Sequence, residues 1–373
     1  MAKAVVDFWP PTLRAKYHLD DLVDPDIAKS NERNTKCPAR ENITTKLPKG
    51  WPLSLQSPLA WSTNSFHEES EHTYILSPLE IAEIDAALSR VKESRIDFDD
   101  IKKSTFVLPT LGASLQTLSH RVHNGCGFVV VRERIRLKIE LIPPLVFPKY
   151  HHFDFEPVVH VTDAKWTGVN ASERRPIFSN QAQPFHADIF CGVLGLYHLE
   201  EARSGGDTLL ASSWTVYNEL AATRPDIIHT LTQNDWVHDT FGCNPPYYQQ
   251  PLLYNHAGKI ILNFARRVLK GAPMTARSRD IRPMTEAQAE ALDAVHFCAL
   301  KHSLKVDMRS GDMCFVNNLA IMHSRSAFED DEPHTRYVLR VWLNNPDLGW
   351  QMPPRLQLFW DRTFAPLDEV TDY

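Results

Sequence analysis

From Val158 to Asn345 the chain consists of short apolar and β-branched runs broken by Gly, Asn and Pro, and this texture constrains the fold more than any other feature. The runs include VVHVTD, PFHADIF, CGVLGLYHL, DTLLASS, KIILNFA, LKVDM, DMCFVNN and RYVLRVWLN. Strands this short and this frequent suit a jelly roll or another double-sheet barrel. Helical spacing interrupts them: Ser213 is expected to cap WTVYNELAAT, which stops at Pro225, and a further helix is expected over 226–232. A third runs from Thr285 to about Lys301, with Leu292, Val295 and Ala299 on one face. The expected class is therefore mainly β with flanking helices and helical insertions at about 213–233 and 285–301.

Residues 1–76 read differently. They are rich in Pro and polar residues, with Trp9, Trp51 and Trp61 spaced among the prolines, and suggest an arm packed on the core by its aromatics, not a separate domain. Residues 77–373 are then one domain. Ser77-Pro78-Leu79-Glu80 combines a Ser N-cap, Pro at the first helical position and Glu at the capping-box position. Ile81, Ile84, Leu88 and Val91 continue it as a helical stripe, and Leu111, Leu115, Leu118 and Val122 form a second. GCGFVVVR, from Gly125 to Arg132, reads as a buried strand. The alternating RERIRLKIELIPPLVF that follows fits an edge strand or a surface loop, and the conformation of 132–152 is not assigned.

Composition narrows the function classes. With 43% hydrophobic and 23% charged residues the chain has ample material for a core, and a net charge of -6 without a Lys/Arg block gives no sign of nucleic-acid binding. No run approaches 18 uninterrupted apolar residues, and Met1 to Leu13 lacks a secretory apolar region, so no membrane association and a cytoplasmic location are expected. The six cysteines form no C-x-x-C pair and read as reduced thiols. A small-molecule substrate is the expected partner, and assembly into a homo-oligomer is left open.

Three clusters carry possible chemistry. In Pro184 to Phe190, His186 and Asp188 stand two apart, and on a strand they point the same way. With His323 as a third ligand they would hold a divalent ion and leave positions open; taken alone, H-x-D is also a common chance triplet. Ser204-Gly205-Gly206-Asp207-Thr208 is a tight glycine turn feeding a strand, a pattern that by itself is usually only a hairpin connection. Arg336 and Arg340, four apart on an expected strand, would share a face, and a buried Arg pair needs anions; salt bridges within the fold would serve equally.

In combination these residues resemble the iron(II)- and 2-oxoglutarate-dependent dioxygenases of the taurine dioxygenase (TauD/TfdA) family, fungal-type members in particular. PFHADIF, SSWTVYNELAATRPD, NNLAIMHSRSAFED and RYVLRVWL match family phrases, and the likeness spans about Pro48 to Pro354. The resemblance implies a double-stranded β-helix (jelly-roll) core and Fe(II) bound by His186, Asp188 and His323. It also implies that Thr208 and Arg336 hold the distal carboxylate of 2-oxoglutarate. Arg340 matches a position that in some members binds an acidic group of the substrate, which suits a carboxylate-bearing molecule such as an amino acid. The implied reaction consumes O2 and 2-oxoglutarate, gives succinate and CO2, and oxidises a substrate C–H bond by hydroxylation, desaturation or cyclisation, in secondary metabolism. No catalytic residue is assigned beyond the metal ligands. Phe185, Phe190, Phe264 and Trp342 are either pocket or core. The chain departs from the family pattern at 132–152, and His151 and His152 are kept out of the site. Other readings of the same residues are a metal-dependent hydrolase or isomerase, which leaves Thr208 and Arg336 without a role, and a binding protein of the same fold.

Overall fold

A computed structural model of the chain describes residues 44–96, 100–132, 158–165, 176–188, 191–241, 245–271 and 277–357, with Ser30, Gly168 and Asp361 besides. Ten strands build two sheets: β1 (Thr73–Ile75), β2 (Phe128–Arg132), β3 (Val158–Thr162), β4 (Gln183–His186), β5 (Val193–Glu200), β6 (Thr208–Ser212), β7 (Leu304–Val306), β8 (Met313–Asn317), β9 (Ile321–Arg325) and β10 (Tyr337–Leu343). The larger sheet has the order β1-β2-β8-β5-β10-β3 and the smaller β7-β6-β9-β4. Every pairing is antiparallel except β1 with β2. Hairpins at 236–250 and 253–262 extend the structure beyond them.

The sequence FVVVR shows why the larger sheet lies inside. All five residues are buried, and alternation sends them to two different cores. Phe128 and Val130 join Leu194, Cys314 and Val316 in a cluster shared with Phe185, Leu210, Ala211, Ile321 and Met322 of the smaller sheet. Val129 and Val131 face the other way, with Leu111, Leu118 and Val122. Those belong to a helix, α2 (Leu111–Asn124), next to α1 (Pro78–Glu93), whose Ser77–Glu80 capping box forms as expected. The second stripe is narrower than the spacing predicts, because Leu115 is 37% exposed.

The insertion holds α3 (Ser213–Thr223), α4 (Pro225–Leu231), α5 (Arg266–Lys270) and α6 (Glu286–His302). The cap of α3 lies one residue earlier than expected: the Ser212 side chain accepts from the N–H groups of Trp214 and Thr215, and the Ser213 hydroxyl instead donates to Ala320 O. Trp214 Nε1 donates to Ile260 O at 2.9 Å, tying α3 to the 253–262 hairpin. Ahead of α1, Leu59 and Trp61 lie in the shared cluster, Trp61 Nε1 donates to Cys126 O at 2.6 Å, and Trp51 stacks on Tyr217. Trp9, Cys37, His151, His152, Phe190, Cys243 and the stretch after Arg132 through residue 152 fall outside the described residues. Cys126, Cys191, Cys298 and Cys314 are free thiols. Among the described residues no helix is long and apolar enough to cross a membrane.

Candidate metal centre

His186 ends β4 and His323 occupies the middle of β9, and the ladder sets the two directly opposite each other. Opposed residues in an antiparallel pair share a face, so both imidazoles project together, with ring centroids 4.1 Å apart. Asp188 reaches them by a route that strand alternation does not describe. The strand stops at His186, and Asp188 lies on the turn beyond it. That turn is held by backbone contacts: Ala187 N–H donates to Phe264 O at 2.7 Å and Asp188 N–H to Asn318 Oδ1 at 2.8 Å, while Asn318 Nδ2 donates to the carbonyls of Asp188 and Cys191. Asp188 Oδ1 thereby comes within 3.8 Å of His186 Nε2 and 4.0 Å of His323 Nε2. One ligand atom from each of the three lies within 4.8 Å of the others.

The electrostatics leave this donor set ready for a cation. His186 Nδ1–H donates to Pro184 O at 2.9 Å, which leaves Nε2 as the free lone pair. Burial lowers the pKa of His186 and brings that of His323 down to about 3, so both rings are neutral. Burial pushes the Asp188 carboxyl up, but its neighbours, the Arg340 guanidinium foremost and the Trp342 hydrogen bond with it, overcome it and hold it at about 2. Two neutral imidazoles and one carboxylate, all oxygen and nitrogen donors, fit Fe(II) and leave coordination positions open. The other Asp188 oxygen, Oδ2, is taken by Trp342 Nε1 at 2.6 Å and Arg340 Nη1 at 3.1 Å. Arg340 therefore meets the Asp188 carboxylate directly, a contact its spacing in the sequence did not disclose, and its guanidinium also stacks over the Trp342 ring.

The remaining expected residues gather at the far end of the smaller sheet. Thr208 opens β6 opposite Arg325 and is 5% exposed. Arg336 is also 5% exposed, and it lies one residue ahead of β10, the strand that carries Arg340. The glycine turn makes room for it: Gly206 has φ 74°, and a Cβ there would lie 2.8 Å from Cδ and Nε of Arg336. Burial lowers the Arg336 guanidinium to about 10, against the opposing charge of Asp330. Phe185 and Phe264 are fully buried core residues, whereas Trp342 is partly buried.

A family model described as "Taurine catabolism dioxygenase TauD, TfdA family" matches residues 93–342. A taurine hydroxylase-like protein, SAT17, of Stachybotrys chartarum is 33% identical over 83% of this chain and 85% of its own. FR-33289 synthase of Streptomyces rubellomurinus is 24% identical over 79% of this chain and 91% of its own. Among solved structures, an asparagine oxygenase in complex with Fe(II), 3-hydroxyasparagine and succinate aligns with a TM-score of 0.54 and 13% identity, over 75% of this chain and 98% of that one. At that identity the alignment speaks for the jelly-roll fold.

Proposed function

The chain belongs to the TauD/TfdA family of Fe(II)- and 2-oxoglutarate-dependent dioxygenases, and from that premise we propose that His186, Asp188 and His323 hold the iron and that Thr208 and Arg336 hold the distal carboxylate of 2-oxoglutarate. The observation that carries the assignment is the convergence of Nε2 of two opposed strand histidines on one oxygen of a buried carboxylate. When bound, iron and 2-oxoglutarate would let dioxygen act as the oxidant, so that one substrate C–H bond is oxidised while 2-oxoglutarate is oxidised to succinate and CO2. The protein's residues orient and shield. Pro184 O fixes the His186 tautomer, Asn318 sets the Asp188 turn, and Trp342 with Arg340 occupies Oδ2 so that Oδ1 alone faces the histidines. Thr208 and Arg336, both buried, offer a hydroxyl and a charged donor to an anion.

The substrate is a small molecule of secondary metabolism, a reading supported by the likeness to the two microbial relatives. We assign Arg340 to an acidic group on it: the Nε of this guanidinium has no partner, while Nη1 is committed to Asp188. Residues 44–76 belong to the same unit as the catalytic core, a reading supported by Leu59 and Trp61 in the shared cluster. The test is to incubate Fe(II)-loaded protein with 2-oxoglutarate and ascorbate under air and to follow succinate, with His323→Ala as control. Succinate is expected from the wild type, and the variant is expected to lose iron on dialysis. A variant that retains wild-type iron content removes His323 from the site. A metal-dependent hydrolase would bind the metal yet form no succinate.

A further inference from the structure

Arg325 ends β9 two residues beyond His323, and alternation puts both on one face of the strand. Directly across the ladder from Arg325 stands Thr208. Arg325 is 6% exposed, and its guanidinium is used on one edge only: Nη2 donates to Ser179 O at 2.8 Å and to Gln181 O, and lies 3.5 Å from Pro176 O. Its Nε and Nη1 have no hydrogen-bond partner, and neither does Nη1 of Arg336. Both guanidiniums pack on one side chain, with Cζ 4.9 Å (Arg325) and 5.5 Å (Arg336) from the Phe328 ring centroid. Among the described residues neither forms an ion pair; the nearby Asp330 spends Oδ1 on the backbone N–H of Arg336. Asp330 opposes both charges and Asp163 that of Arg325, yet among the described residues no ion pair to either guanidinium forms, and two buried cations with vacant N–H groups gain when an anion joins them.

We propose that Arg325 is a second guanidinium of the 2-oxoglutarate site, donating through Nε and Nη1 to the distal carboxylate beside Thr208 and Arg336, and that through Nη2 it ties the turn 176–181 to cofactor binding. The inference rests on the cofactor assignment above and adds a residue and a coupling to it. One guanidinium thus has two duties on opposite edges. The N–H groups facing the cofactor satisfy a carboxylate, and those facing away donate to the carbonyls of Ser179 and Gln181 in the turn. Occupancy of the cofactor site fixes the guanidinium plane, and the turn is ordered with it.

The test compares two ligands on anaerobic Fe(II)-loaded protein by calorimetry: 2-oxoglutarate, and 2-oxopentanoate, which keeps the 2-oxo acid and lacks the distal carboxylate. Wild type is expected to prefer 2-oxoglutarate strongly. Arg325→Gln is expected to weaken 2-oxoglutarate by about 10- to 100-fold, in line with loss of a charge-assisted contact, and to leave 2-oxopentanoate within about twofold. Arg325→Lys, which keeps the charge and loses the fork, should recover part of the difference. Equal loss of both ligands would mean a structural role only and overturn the proposal, as would unchanged 2-oxoglutarate binding. Wild type that fails to bind 2-oxoglutarate would overturn the cofactor assignment itself, together with what rests on it. A measurement on wild type guards against a variant that does not fold: amide hydrogen exchange at 176–181 should slow when 2-oxoglutarate is added, but not with 2-oxopentanoate. Exchange that is the same with both ligands rules the coupling out.

Discussion

Replacing Trp342 by Phe tests whether the indole sets the Asp188 carboxylate in the pose proposed to bind metal. Its Nε1 donates to Asp188 Oδ2 at 2.6 Å, and the only other described partner of that oxygen is Arg340 Nη1 at 3.1 Å. A hydrogen bond to a charged group contributes about 1.5–3 kcal/mol. Loss of an outer partner of a metal ligand lowers metal affinity by about 10- to 100-fold, which is about 1.4–2.8 kcal/mol at 1.4 kcal/mol per decade. The two estimates agree, because the energy that holds Asp188 in its ligating pose is lost from binding when the pose is no longer held. Phe keeps an aromatic ring under the Arg340 guanidinium, which lies 5.0 Å from the Trp342 ring centroid, so the change removes mainly one donor. Titration of the metal-free variant with Mn(II), read by the loss of free-ion paramagnetic resonance, is expected to show that weakening with an unaltered circular dichroism spectrum. An affinity within twofold of wild type in a folded variant would show that Arg340 alone fixes the carboxylate.

Two further outcomes follow from the glycine turn and from α1. Gly206→Ala forces a side chain onto φ 74° and onto Arg336, so a stability loss of about 1–2 kcal/mol and a raised KM for 2-oxoglutarate are expected; an unchanged KM would show that Arg336 can move aside without cost to the cofactor. Glu80 accepts from the Tyr74 hydroxyl, the Ser77 N–H and the Ser77 and Ser114 hydroxyls, and these bring its carboxyl from 4.5 to about 2. A depressed carboxyl stabilises the fold above its unfolded value, and that stability is lost as pH falls from about 4.5 towards 2. Chemical denaturation across this range should therefore show a flatter acid limb in Glu80→Gln, and an identical slope would mean that the network does not act through the charge.

That His186, Asp188 and His323 belong together was legible in the residues, but part of the geometric reason was not. Strand alternation put His186 and Asp188 on one face, yet the strand ends at His186 and the carboxylate is delivered by a turn. What delivers it is Asn318, 130 positions away, which looks like half of an ordinary Asn-Asn turn in the sequence. The opposition of His186 and His323 is likewise a non-local ladder contact, and no local pattern encodes which strands become neighbours. Strands and helices were easier to find, since the apolar period marks the buried face; the errors fall at edges, where Leu115 is exposed and Ser212 caps in place of Ser213. Such details depend on what packs against the element.

The arginines show where reading by residue type stops. Arg132, Arg266, Arg325, Arg336 and Arg340 are alike in sequence, and all five side chains are largely buried. Arg132 meets Asp312 and Glu69, and Arg266 meets Asp293, so their charges are matched inside the fold. Arg340 is matched to Asp188, a carboxylate already turned towards the histidines. Arg325 and Arg336 have no such match among the described residues. A buried guanidinium without an ion-paired carboxylate costs several kcal/mol; Asp330 opposes both charges and Asp163 that of Arg325 without an ion pair to either, so two guanidiniums within reach of one phenylalanine keep N–H groups free for an anion. That difference, visible only once every partner has been placed, sets Arg325 and Arg336 apart from the ion-paired arginines, and it is why Arg325 was passed over in the sequence while Arg336 entered by resemblance alone.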